Sequence, residues 1–149
     1  MGSTDRPDLA AMLAPLVRTL IAMEQPVLEA HGLSMWAYSV LVALSRGPAR
    51  GQGVLAQEIG ADKTRIIAVL DDLQQRDLLH RTPDPADRRA RLLELTPAGH
   101  RLVARARAEI QSREEQQVLH HLSAADRRGF LNALRTLAAL PRDEPGNSA

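Results

Sequence analysis

Apolar residues recur at helical spacing over most of the chain. The first series is Leu9, Leu13, Leu16, Val17, Leu20, Ile21, Val27 and Leu28, and a period of three to four predicts an amphipathic helix. Pro15 and Pro26 interrupt it, and an interior proline costs a helix about 3 kcal/mol or more. The pattern therefore predicts one long helix that either starts near Pro15 or kinks before Pro26, closing at His31-Gly32. Ser34 is placed to cap a second helix with Val40, Leu41 and Leu44, ending at Arg46-Gly47-Pro48. A short helix follows over Gly53 to Gly60, with Leu55, Ala56 and Ile59 inward. Asp62 can cap the next, Lys63 to about Gln75, whose inner face is Ile66, Val69, Leu70 and Leu73. Two short helices joined by a tight turn at Gly60-Ala61 make a helix-turn-helix outline.

After it the period changes. Leu78 to Thr82 and Arg89 to Leu95 read as two strands around a polar, proline-bearing loop, Pro83 to Arg88. Thr96-Pro97 is a helix start, with Thr96 capping and Pro97 in the first turn, where its missing N–H does no harm. The helix carries Leu102, Val103, Ala106, Ile110 and Val118. Ser123 with Asp126 resembles a capping box for a last helix bearing Phe130, Leu131, Leu134 and Leu137, which Pro141 stops. The expected fold is mainly α with a small β-hairpin wing. Its parts are an N-terminal helix over 8–32, a winged helix-turn-helix over 33–96 with the wing at 78–95, helices over 97–140, and a disordered tail over 141–149. The terminal helices carry more apolar surface than the small central unit can cover, so terminal helices from two chains are expected to pack together.

Composition narrows the chemistry. With 149 residues, 44% of them hydrophobic, the chain suits one folded domain. The absence of cysteine removes disulfides, thiolate metal sites and thiol nucleophiles. The short polar stretch Met1 to Pro7 is no signal peptide, and no apolar run approaches the roughly 20 residues of a membrane span. A soluble intracellular protein is the default expectation. Of 19 basic residues only Lys63 is a lysine, and the net charge is +1. Near-neutrality does not exclude duplex binding, which depends on a local basic patch. Only three aromatics are present, Trp36, Tyr38 and Phe130, too few for a stacked platform that binds single strands.

Specific residues sharpen the outline. Leu55-Ala56, Leu73 with Leu78-Leu79, Arg81 after the first wing strand, Asp87-x-Arg89 and then Leu95-Thr96-x-x-Gly99 form one series. Upstream stand Gly32-Leu33-Ser34 with Tyr38 and Leu41. From about Gly32 to Gly99 the sequence resembles the multiple-antibiotic-resistance regulator (MarR) family of bacterial transcription factors; the flanking helices match by pattern only. The resemblance implies a cytoplasmic homodimer, joined by its first, fifth and sixth helices, that binds double-stranded DNA at a pseudo-palindrome. It also implies regulation, as a repressor, by a small effector.

The recognition helix would lie in the major groove with its N-terminal residues nearest the base edges: Lys63, Thr64 and Arg65, with Ile67 and Ala68 a turn further. Lys63 or Arg65 can meet guanine O6/N7, a pairing worth about 1–3 kcal/mol of discrimination. Thr64 can reach a phosphate or a base, and Ile67 a thymine methyl. Many family members have Thr-Arg where this chain has Ile67-Ala68, so its base-reading pattern is its own. In the wing, Arg88, Arg89 and Arg91 surround Asp87. By resemblance Arg89 enters the minor groove, where a narrow groove focuses negative potential, Asp87 holds the wing in shape through an arginine, and Arg81 is a second wing-structuring residue. An effector, small and aromatic or anionic, would sit between the dimer helices and the winged helix, near Met23, His31, Trp36 and Tyr38. Packing in the core or at a dimer interface is the other reading of Trp36 and Tyr38. Without cysteine, peroxide sensing through a thiol is excluded.

Enzyme and metal readings find little. His120 and His121 are adjacent and would point to different sides of a helix, while His80 and His100 lack carboxylates at ligand spacing. No phosphate-cradling glycine loop or nucleophile elbow is present; neither cofactor nor metal is expected, with a histidine/carboxylate metal-sensing site formed across the dimer as the lesser alternative. A rival reading makes the unit a winged-helix module that pairs with a protein and no longer binds DNA specifically. Ile67-Ala68, Asp71-Asp72 and the small net charge favour it, and Lys63, Arg65 and the arginine-rich wing oppose it.

Overall fold

The computed structural model describes residues 5–141. Helix α1 spans Leu9–Ala30 and α2 Met35–Ser45; strand β1 is Ala49–Arg50; α3 is Gln52–Ile59 and α4 Lys63–Gln75. Strands β2, Leu79–Asp84, and β3, Asp87–Leu95, form the wing, and α5, Pro97–Gln117, and α6, Ala124–Ala138, follow. The tail expected over 141–149 lies outside the described residues except for Pro141. Residues up to Gln111 form one unit and those from Ser112 another, with the boundary inside α5.

In the first unit, side chains from α1 to the first half of α5 meet in one core. Leu41, Leu44, Leu55, Ile66, Leu70, Leu73, Leu79 and Leu93 are its most completely buried large members. Local signals place the helices that frame it. Ser34 Oγ accepts from Ala37 N at 3.0 Å, and Asp62 Oδ1 accepts from Arg65 N at 2.7 Å. Each cap satisfies a backbone donor that a helix start otherwise leaves open. Gly60, in the left-handed region at φ +73°, reverses the chain between α3 and α4.

Four expectations are corrected or narrowed. The first helix begins at Leu9, within the expected 8–32, and both prolines lie inside it, so of the two alternatives the late start near Pro15 is set aside. The carbonyls that lose a donor to Pro15 and Pro26 belong to Ala11 and Ala22, both exposed, so water can serve them in place of the missing N–H. That helix also answers the membrane expectation differently. At 22 residues and a mean hydropathy of 1.2, α1 is long and apolar enough to cross a membrane by length and composition, a length the two prolines conceal in the sequence. Met23, Val27 and Leu28 of this helix are buried in the first unit, while Leu9, Met12, Leu13, Val17 and Ile21 form an exposed stripe. Strand β1 is an addition: Ala49 pairs with Leu93 and Arg50 with Leu92, giving a three-stranded antiparallel sheet in the order β1-β3-β2. Finally, the loop shrinks to Pro85-Ala86, because Pro83 and Asp84 continue β2 opposite Arg91 and Asp87. A proline fits there because β2 is an edge strand with no partner waiting for its N–H.

The Leu95-Thr96-x-x-Gly99 series has a mechanical role. Helix α4 ends in a Schellman turn, with Leu78 N donating to Leu73 O at 2.9 Å and Asp77 N to Gln74 O at 3.0 Å. Asp77 occupies the left-handed position at φ +58°, where glycine is usual. Thr96 grips this corner: its Oγ1 donates to Asp77 O at 2.7 Å and accepts from Gly99 N at 3.0 Å, while Thr96 N donates to Leu78 O at 3.1 Å. One buried hydroxyl thus caps α5 and ties it to the junction of recognition helix and wing. Thr96→Val keeps the shape and removes both hydroxyl bonds, so a loss of about 2 kcal/mol is expected, read as a lower urea midpoint with an unchanged slope.

The second unit comprises the end of α5, a 3-10 turn at Leu119–His121, and α6. Val118 falls just beyond α5 rather than within it. Ser123 Oγ accepts from Asp126 N at 3.1 Å, the forward half of a capping box, and Arg127 pairs with Glu115. Burial first, and then the neighbouring Glu115 charge, raise the Glu114 carboxyl above its ordinary pKa. Leu134, Leu137 and Leu140 are exposed, and α6 has no buried residue.

Candidate nucleic-acid interface

Helix α4 divides cleanly into two faces. Ile66, Leu70 and Leu73 are buried, and the same 3.6-residue period leaves Lys63, Thr64, Arg65, Ile67 and Ala68 exposed. The capping bond from Asp62 fixes the backbone at Arg65, so the first turn presents its side chains from a rigid start. A groove of about 280 Å³ runs beside it, lined by Gln52, Gly53, Lys63, Ile66 and Ile67. Gln52 and Gly53 are residues that sequence reasoning missed, because nothing in a helix start that lacks a side-chain cap marks it as neighbouring the recognition helix.

Arg88, Arg89 and Arg91 are exposed on β3. The turn between the strands is built by two carboxylates. Asp84 Oδ1 accepts from Ala86 N, and Asp87 Oδ1 accepts from Arg89 N, both at 2.9 Å. Asp87 therefore shapes the wing through the backbone amide of Arg89, not through an arginine guanidinium as expected. A short carboxylate reaching its own chain two residues on is the usual Asx turn. It leaves the Arg89 guanidinium without an acceptor among the described residues. Asp84, one of two buried polar residues among those described, was not singled out from the sequence.

Arg81 does not touch the wing tip. Its Nη2 donates to Asp71 Oδ1 at 2.7 Å, tying β2 to the outer face of α4. The buried Nε has no partner. Since Asp71 is about half exposed, solvent screening keeps this pair below about 1 kcal/mol, and its value lies in orientation. Arg76, not foreseen, ties the other end of α4: its Nη1 donates to Gly32 O at 2.8 Å and its Nη2 to His31 O at 3.2 Å. It also pairs with Asp72 at 3.8 Å. Both acids on α4 that favoured the protein-partner reading thus have arginine partners, while the basic first turn stays open.

The four residues expected near an effector take different surroundings. Met23 is buried, and Tyr38 packs, half-buried, against the core. His31 Nε2 lies 3.1 Å from Glu109 Oε1, joining the α1–α2 corner to α5. Trp36 is drawn to the recognition helix, its ring under the Arg65 guanidinium at 5.2 Å. The histidines also depart from expectation. His120 and His121 do not point apart, because they sit in a 3-10 turn rather than an α-helix, with ring centroids 4.0 Å apart. His80 meets Glu94 at 3.5 Å, a partner that the hairpin register places opposite it. Among the described residues no group of three or more histidines and carboxylates could hold a metal ion.

A helix-turn-helix with an arginine-bearing hairpin and an open basic helix start defines a winged-helix nucleic-acid-binding class. The family model described as MarR family matches residues 31–90. The transcriptional repressor CouR bound to a 23-mer DNA duplex is 30% identical, with 88% of this chain and 92% of that chain covered and a TM-score of 0.74. CouR from Rhodococcus jostii bound to p-coumaroyl-CoA is 27% identical, covering 92% of this chain and 96% of that one at a TM-score of 0.72. The transcriptional regulator HosA of Escherichia coli O111:H- is 28% identical over 73% of this chain and 80% of its own. The chain belongs to the MarR family of transcription regulators. These relatives are named as regulators, not as enzymes.

Proposed function

We propose that the chain works as a homodimeric repressor that binds a pseudo-palindromic DNA duplex and is released by a small molecule. The observation that carries this reading is the charge arrangement on α4. Asp71 and Asp72 are paired with Arg81 and Arg76, so the exposed first turn, Lys63 to Arg65, is basic beside a wing carrying Arg88, Arg89 and Arg91. Lys63, Thr64, Arg65, Ile67 and Ala68 are assigned to the major groove, Arg89 to the minor groove, and Arg88 and Arg91 to phosphates. The exposed apolar stripe of α1 and the exposed leucines of α6 are assigned to the dimer, in line with dimerisation segments at 8–32 and 97–140. Two recognition helices would then stand about one DNA turn apart, ~34–36 Å.

Effector control is supported by the ligand-bound relative, CouR with p-coumaroyl-CoA. The effector is assigned to the neighbourhood of Met23, His31, Trp36 and Tyr38, and its class is aromatic or anionic. Arg76 gives that neighbourhood a hold on DNA reading, because it joins the His31–Gly32 carbonyls to the end of α4. Acting on DNA, the protein would be cytoplasmic.

Fluorescence-anisotropy titration against a pool of random duplexes, with bound sequences recovered and salt varied, tests the reading. A two-fold-symmetric motif is expected, with log affinity falling linearly in log salt as counterions are released. Binding that is absent or indifferent to sequence, from a folded dimeric sample, would replace it with the protein-partner reading.

A further inference from the structure

Trp36 is placed unlike a packing aromatic. Tyr38, Val42 and Ala43 of the same helix pack against the hydrophobic core, and Trp36 stands outside that cluster, partly exposed. Its ring meets instead the guanidinium of Arg65, whose central carbon lies 5.2 Å from the ring centroid. That is inside the roughly 6 Å range over which a cation is drawn to an indole face. Both residues project from first turns fixed by side-chain caps, Ser34 for α2 and Asp62 for α4, and α2 packs on α4. Shelf and guanidinium are therefore held in register by two rigid helix starts.

Among the described residues the Arg65 guanidinium makes no hydrogen bond or ion pair, and the Trp36 ring is its one cation–ring contact. A long, rotamer-rich side chain without a partner samples many poses, and reading a base edge then costs the entropy of choosing one. An aromatic shelf removes part of that cost while the N–H edges of the guanidinium, which match guanine O6/N7, remain available. Lys63 and Thr64 have no comparable support.

We propose that Trp36 is a positioning residue for base recognition: its ring holds Arg65 in the pose that reads the operator, so preference at the base pairs Arg65 meets depends on α2. This role rests on the assignment of Arg65 to the major groove. At an exposed site the contact is worth a factor of about two to five, and in a dimer that factor applies in each half-site.

Trp36 is the only tryptophan in the chain, so its emission reports on the contact directly, without DNA. The test compares wild type, Trp36→Phe, Trp36→Leu and Arg65→Ala by tryptophan emission where the residue remains, by urea unfolding, and by recovery of bound duplexes from a random pool. Arg65→Ala should change the emission of the free protein. Trp36→Leu should weaken preference about two- to five-fold at the same one or two base pairs per half-site that Arg65→Ala relaxes. Trp36→Phe, with a weaker ring, should keep part of it. Should Trp36→Leu fail to fold, Trp36→Phe and the emission of Arg65→Ala decide the matter. A Trp36→Leu motif identical to wild type would overturn this role alone, as would an even loss across the motif with a lowered urea midpoint, the mark of a structural part. An unenriched wild-type pool would overturn the DNA-reading assignment and this role with it.

Discussion

Gly99→Ala is expected to destabilise the protein by about 3 kcal/mol or more, a large share of the roughly 5–15 kcal/mol that holds a typical domain. A Cβ built on Gly99 would stand 2.0 Å from Leu78 O and 3.0 Å from Leu78 C, with Leu95 Cβ at 3.4 Å. The obstacle is backbone, so no side-chain rotation relieves it. That carbonyl already accepts from Thr96 N, and Asp77 beside it accepts from the Thr96 hydroxyl. Moving α5 away from Leu78 would therefore break the grip on the α4–wing corner, and staying would leave an impossible contact. Overpacking usually costs about 1–3 kcal/mol, and a contact with bonded backbone belongs at the top of that range. Urea unfolding measures it. Gly53→Ala is the control, since nothing lies within 4 Å of a Cβ there and helix propensity favours alanine; its midpoint should hold or rise. If Gly99→Ala unfolds at the wild-type midpoint, the close approach of α5 to Leu78 is wrong.

The same corner shows what was legible beforehand. Ser34, Asp62 and Thr96 announce helix starts because a cap is a local event, written within four residues of chain. For helix α1 the extent is legible but a start near Pro15 stays open, because proline rules describe a helix interior without saying whether water reaches the carbonyl left unpaired, and Ala11 and Ala22 are exposed. Strand β1 has two residues, too few for alternation to register. The exposed residues of α4 could be named from its period, and the arginines of the wing from the family motif. Their partners could not. Arg81 with Asp71, Arg76 with the His31–Gly32 carbonyls and Trp36 with Arg65 each join segments distant in sequence, and only the folded chain brings them together. Asp87 illustrates the limit closely: the family motif names the residue, but its bond goes to the amide of Arg89 and not to a guanidinium.

Arg89→Ala is expected to lower DNA affinity about a hundredfold at moderate salt, for specific and unrelated duplexes alike. The Asx turn at Asp87 fixes the backbone from which Arg89 projects, and its guanidinium has no protein acceptor among the described residues to leave when DNA arrives. A charge-assisted contact of about 1.4 kcal/mol is a tenfold change. A symmetric dimer loses two, hence the hundredfold. With Arg89 assigned to the minor groove, away from the base edges of the major groove, its contact would position the protein and sense groove width rather than read individual base pairs. Losing one cation per protomer from the field of the duplex, two in a dimer, should also flatten the slope of log affinity against log salt by about 2. Arg65→Ala should behave otherwise, leaving that slope nearly unchanged for nonspecific DNA while relaxing preference at one or two base pairs per half-site. Anisotropy titrations of the two variants over a salt series, on the recovered motif and on a scrambled duplex, separate these behaviours. If both losses proved indifferent to sequence, α4 would not be reading bases through Arg65. If Arg89→Ala affected only the recovered motif, the wing would be a base reader and the division of labour would be reversed.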